Sequence, residues 1–150
     1  DRQHPRDLFD VKLMFEKIGC ISDEMLSCFI VYALGHNRPL HELLDCVVKD
    51  STAVFEKEFK GMTDSDVSYS DLIDVLYRLK NKLKKLLVPY KEFLLGFVQL
   101  KPDFSLFPYK NLADFPAIKW KMQNLEKLSV SNKEKFNLQY QKLNEYFLSE

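Results

Sequence analysis

The sequence predicts an all-α protein, an irregular bundle of six to eight helices. Leu, Lys, Glu and Phe dominate a chain in which 46% of residues are apolar and 13% aromatic, while only 4 glycines and 6 prolines punctuate 150 residues. Many tight β-turns would need more punctuation, and strong helix formers are abundant. Apolar positions also recur at three and four residues along most of the length. One helical domain spanning 1–150 can bury a core of its own at this size.

The first helix opens at Pro5, a residue suited to a first turn because the N–H it lacks would be unpaired there. Leu8, Val11, Phe15 and Ile18 form its inward stripe and Gly19 stops it. Ser22 caps a second helix, with Asp23 and Glu24 in the turn where the helix dipole favours them, ending near Gly35. After the corner Gly35-His36-Asn37-Arg38, Pro39 opens a short helix through Leu44. Ser51 caps another to Phe59, with Gly61 in the closing left-handed position. Ser68 and Asp71 have capping-box spacing, and Leu72, Leu76, Leu79, Leu83 and Leu86 form a 4-3-4-3 seam along a long helix ending near Leu87. Pro89 breaks it, and Tyr90 to Leu100 forms an apolar helix that stops before Pro102. An irregular aromatic segment, 103–115, precedes a helix opened by Asp114 and Pro116, and Ser131 with Glu134 reads as the capping box of a final helix to about Leu148.

Charge and cysteines bound the function. The formal net charge is +0, but residues 1–75 carry 8 basic against 15 acidic side chains and residues 76–150 carry 14 against 7. Such a split serves either a nucleic acid on the basic half or attraction between the two halves. No apolar run approaches the roughly 20 residues that cross a bilayer, so no membrane partner is expected. Cys20, Cys28 and Cys46 are an odd number without Cys-x-x-Cys spacing and no signal peptide opens the chain, which suits reduced thiols in the cytoplasm. The absence of an initiator methionine at Asp1 suggests part of a longer protein.

Three constellations carry chemistry. Asp7 and Asp10 lie three apart on the first helix, where they could share a divalent metal or act as an acid/base pair. An acidic first turn paired with Arg2 and Arg6 is the plainer account. His36, Asn37, Arg38 and His41 cluster at an interhelical corner. Histidines five apart across a proline do not match a helical metal pair and no cysteine has zinc spacing, so no metal is assigned. A corner tied by Arg38 to carbonyls or a carboxylate fits better. Arg78, Lys82 and Lys85, with Lys80 and Lys84, form a basic helix face beside Tyr90 and Phe93. It can neutralise RNA phosphates or simply face water. There is no Gly-rich phosphate loop, no Gly-x-Ser-x-Gly and no His-Glu-x-x-His, so the chain alone holds no complete active site.

The run Arg6-Asp7-Leu8-Phe9-Asp10-Val11 resembles the end of the third motif of the AbiEii-type nucleotidyltransferases, the toxin components of abortive-infection and type IV toxin–antitoxin systems. Tyr32 to Leu44 (YALGHNRPLHELL), Phe55 to Thr63 (FEKEFKGMT) and Ile118 to Leu125 (IKWKMQNL) are similar to that family in the same order. The resemblance implies that this is the C-terminal helical part of a protein whose N-terminal polymerase-β-like domain supplies a Gly-Ser motif and the metal-binding aspartates. It implies transfer of a nucleotidyl group from an NTP, GTP or a pyrimidine nucleotide, to an acceptor such as a tRNA end, with Mg and the NTP bound by the intact protein and no cofactor in this part. Asp7 and Asp10 carry over to the catalytic edge and Arg2 matches a motif arginine in type. The lysine that opens the motif has no counterpart. A cognate antitoxin is the implied protein partner. The contrasting expectation is a non-catalytic helical interaction module with an apolar groove near Phe104, Phe107, Tyr109 and Phe115.

Overall fold

The computed structural model describes residues 3–149, and these are all-helical with no strand. Eight α-helices follow in order: α1 (Pro5–Lys17), α2 (Asp23–Gly35), α3 (Leu40–Leu44), α4 (Thr52–Val54), α5 (Tyr69–Leu86), α6 (Lys91–Val98), α7 (Pro116–Ser131) and α8 (Lys133–Leu148). The backbone groups into two compact units, residues 1–21 with 46–83, and residues 22–45 with 84–150.

The first unit is built on α1. His4 caps it, its ring Nδ1 accepting the Arg6 N–H, and Gly19 closes it at φ +79°. Leu8 enters a core with Phe55, Phe59, Leu72 and Leu76, whereas Ile18, the last residue of the expected stripe, is exposed. The segment expected as one helix from Ser51 to Phe59 is instead the single turn α4 followed by a π-helical turn, Phe55–Phe59. The wider turn buries both rings, Phe59 at 5.4 Å from Phe9 and Phe55 at 5.8 Å from Tyr69. Gly61 follows at φ +81°. The Ser68–Asp71 capping box is formed, with the Ser68 N–H and hydroxyl donating to Asp71 Oδ2 at 2.8 and 2.7 Å and the Asp71 N–H donating back to Ser68 Oγ at 3.2 Å.

In the second unit α8 lies against α3, α6 and α7, and α7 also meets α2. Ile30, Leu34, Phe93, Phe97, Ile118 and Leu143 are almost fully buried there. α6 stops at Val98 because the chain turns back through Leu100 at φ +63°, with the Lys101 N–H donating to the Gly96 carbonyl at 2.8 Å. Glycine at 96 is required by packing, since a Cβ there would sit 2.7 Å from the Lys101 carbonyl oxygen. The final helix begins one residue later than the sequence suggests. α7 runs through Ser131, and Asn132 caps α8 by accepting the Lys135 N–H at 2.9 Å, so the expected Ser131–Glu134 box is not the cap. No described helix is long and apolar enough to cross a membrane.

Candidate functional site

Within the first unit, α1 presents the catalytic candidates. Asp7 is half-buried, while Arg6 and Asp10 are exposed. The helix start is anchored on the 55–63 segment, where Arg6 Nη2 lies 3.4 Å from the Met62 sulfur and His4 Nε2 lies 3.4 Å from Glu58 Oε2. Gln3 ties the preceding residues to 47–49, its amide donating to the Val47 carbonyl at 2.7 Å and accepting the Lys49 N–H at 2.8 Å. Among the described residues no group of three or more His, Cys, Asp or Glu side chains is placed to hold a metal ion. Asp7 and Asp10 therefore offer at most part of a Mg²⁺ ligand set, which ordinarily combines carboxylates with water and substrate phosphates. Arg2 lies outside the described residues.

The basic candidates of α5 are largely engaged within their own units. Arg78 and Lys82 sit over the Phe15 ring at 4.7 and 5.0 Å, and Lys82 donates to the Gly19 carbonyl at 3.2 Å. Lys80 donates to the Cys46 carbonyl at 2.9 Å, and Lys84 to Ser149 Oγ at 2.8 Å. Lys85 is exposed. Such cations cover apolar surface and close helix and loop carbonyls, leaving less of the helix for phosphate. The charge split along the chain also does not follow the fold. The two units hold 10 basic against 11 acidic and 12 basic against 11 acidic residues, because each collects segments from both halves of the chain.

The corner between α2 and α3 is organised by a residue that sequence reasoning missed. Lys121, on α7 and only 8% exposed, donates to the carbonyls of His36 at 2.7 Å, Arg38 at 2.9 Å and Asn37 at 3.4 Å. Burial holds its amine below the ordinary 10.5, with the Glu42 carboxylate opposing that shift. Arg38 ties to a carboxylate, as one of the two expected alternatives had it, pairing with Glu42 four residues on, Nη2 to Oε2 at 3.2 Å, while the corner's carbonyls are taken by Lys121. His36 Nδ1 accepts the Arg38 N–H at 3.1 Å. His41 is half-buried with Nδ1 unpartnered among the described residues, and desolvation pulls its pKa below 6.5. The signal for Lys121 was present, since Ile118, Lys121 and Leu125 lie at helical spacing on the buried face of α7.

Of the four aromatics of the irregular segment, Phe107 is buried, Phe104 half-buried, and Tyr109 and Phe115 exposed. Phe107 is buried and stacks on Phe93 at 5.1 Å, and Phe104 meets Phe93 edge-on at 6.0 Å. Phe115, by contrast, lines an apolar cleft of about 480 Å³ with Cys28, Val31, Tyr32 and Ala117, and Tyr32 is 82% exposed beside it.

No family model matches the chain, and neither a curated protein nor a solved structure does.

Proposed function

We propose that this chain is the C-terminal helical part of an AbiEii-like nucleotidyltransferase toxin, supplying one edge of the NTP and acceptor site and part of an RNA-acceptor surface. The observation that carries the reading is how the four stretches behind the resemblance pair up. Residues 6–11 pack against 55–63 in the first unit, through Phe9–Phe59 and Arg6–Met62. Residues 32–44 are clamped to 118–125 in the second, through the three carbonyl contacts of Lys121. Stretches far apart in sequence thus form two built sites, as expected if they are parts of one working scaffold.

In this reading the acceptor hydroxyl attacks the α-phosphorus of the NTP, the bond to the pyrophosphate breaks, and the hydroxyl proton passes to a carboxylate. Bound Mg²⁺ would neutralise phosphate charge. Asp7, half-buried at the start of α1, is the proton acceptor or the orienting group, and Asp10 supports it one turn on. Arg6, Arg78, Lys82 and Lys85 are the individual candidates for RNA phosphate contact, of which Arg6, Arg78 and Lys85 are exposed. The partners are the preceding nucleotidyltransferase domain, the RNA acceptor and a cognate antitoxin, in the cytoplasm. The test is Asp7→Ala in the protein carrying its catalytic domain. Loss of about 100-fold or more in nucleotidyl transfer, from the lower end upward of what a general base contributes, with an unchanged urea midpoint supports the role; transfer at the wild-type rate refutes it.

A second reading, a non-catalytic protein-interaction module, is favoured by the apolar cleft beside the exposed Tyr32. The two separate on salt. RNA binding through phosphates weakens steeply as salt rises, whereas an apolar groove gives a flat profile.

A further inference from the structure

The helix α3 has five residues and no side-chain cap, and helices that short are not stable by themselves. Its contacts with α8 and α2 hold it in place, and Leu40 and Leu44 are the side chains it buries. Two buried side-chain polar atoms lack a hydrogen-bond partner among the described residues, and both lie on this helix pair: His41 Nδ1 on α3 and the Tyr146 hydroxyl on α8. Burial, with the Asp45 carboxylate acting in the same direction, pushes Tyr146 up to about 12, so its hydroxyl stays neutral near pH 7. His41 can change its charge there. With the proton on Nε2, Nδ1 is a buried lone pair without a donor. A second proton makes it a buried N–H without an acceptor, on a ring that has become charged, which is the more costly state.

The surroundings do not relieve that cost. Lys142 on α8 repels an imidazolium at position 41. Glu42 attracts it, but its Oε2 is already held by Arg38 at 3.2 Å. Asp45 lies at the exposed end of α3 and acts on Tyr146, and α2 from Ser27 to Gly35 carries no charged side chain. We infer that His41 makes α3 an acid-released latch, closed on α8 while the imidazole is neutral and opening when the ring takes up a second proton. The sign follows from linkage. Desolvation, with Lys142 behind it, holds the closed-state pKa below 6.5, so beneath that value the open form binds more protons. Closure is at full strength above 6.5 and weakens as pH falls from there towards the closed-state pKa. Opening bares Leu40 and Leu44. The latch goes beyond the nucleotidyltransferase reading and does not depend on it.

Amide hydrogen exchange read by mass spectrometry tests it on the 150-residue chain, at about pH 7.5 and about pH 5.5 with labelling times matched for the intrinsic exchange rate. Protection over 40–45 should fall roughly 3- to 10-fold in acid, a single imidazole that titrates at 6.5 when free giving at most about 11-fold, while protection over 91–98 in α6 holds. His41→Gln, which cannot titrate, should remove the fall. The chain has three histidines, and NMR signals assigned with His4→Gln, His36→Gln and His41→Gln in turn should show His41 titrating below 6.5. Lys142→Met should move that midpoint upward. Unchanged α3 protection in acid, a fall that persists in His41→Gln, or a His41 midpoint at or above 6.5 overturns the latch. Where His41→Gln fails to fold, the other two variants identify its signal by elimination, and wild-type exchange with Lys142→Met still decides.

Discussion

Replacing Lys121 by methionine keeps the aliphatic stem and removes the ammonium. The two short contacts, 2.7 Å to the His36 carbonyl and 2.9 Å to the Arg38 carbonyl, are charge-assisted bonds worth about 1.5–3 kcal/mol each. The third, at 3.4 Å to Asn37, adds little. Desolvation of the ammonium, the same effect that lowers its pKa, offsets part of this gain. The expected net loss is about 2–4 kcal/mol. For a chain of this size that corresponds to a fall in Tm of roughly 5–15 °C, read by urea and thermal unfolding followed by circular dichroism. Arg38→Ala is the control, because its ion pair with Glu42 is solvent-exposed on both sides and should contribute no more than about 1 kcal/mol. A Lys121→Met midpoint equal to the wild type, or an Arg38→Ala loss as large as that of Lys121→Met, would refute the assignment of the corner to the lysine.

Gly96→Ala should destabilise by about 1–3 kcal/mol in urea titration, since its Cβ would be forced to 2.7 Å from the Lys101 carbonyl and the closing turn of α6 would have to shift; a neutral effect would show that turn to be pliable. Phe93→Ala removes a fully buried ring that meets Phe97, Phe104 and Phe107, and a loss of about 3–5 kcal/mol is expected, with a loss under about 1 kcal/mol placing the core elsewhere. The Asp71 carboxyl is held below 3.8 by the Ser68 hydroxyl and N–H, so its stabilising effect is present above that value and disappears as pH falls through the lower folded-state value. Urea midpoints of the wild type and Asp71→Asn should therefore differ near neutral pH and converge in acid; a gap that persists or widens in acid contradicts this.

The elements marked by local chemistry were readable from the residues. Pro5, Gly19, Ser22, Gly61 and the Ser68–Asp71 pair bound their helices as capping and turn geometry require. The misread boundaries are those where two local signals compete. Ser131 and Asn132 both favour caps, and apolar periodicity carries α7 through the first of them. The π turn at 55–59 was invisible to periodicity because it is favoured by burying two rings against Phe9 and Tyr69, contacts made across the unit. The corner of His36 to Arg38 was located but its organiser was not. A lysine ordinarily faces water, and what buries Lys121 is a set of backbone carbonyls 83 to 85 residues away. The basic face of α5 was found as a face, yet Arg78, Lys80, Lys82 and Lys84 are taken up by Phe15, Gly19, Cys46 and Ser149, partners that no pattern within the helix encodes.

The most direct measurement is nucleotidyl transfer itself. A protein joining this chain to the proposed nucleotidyltransferase domain is incubated with Mg²⁺, total RNA and each of the four α-labelled NTPs in turn, and label is followed onto RNA. The account predicts that one or a few of the NTPs label RNA 3′ ends, with release of pyrophosphate and loss of labelling in Asp7→Ala. Absence of labelled RNA with every NTP, from protein shown to be folded, would contradict it and leave a helical module whose clefts serve another partner.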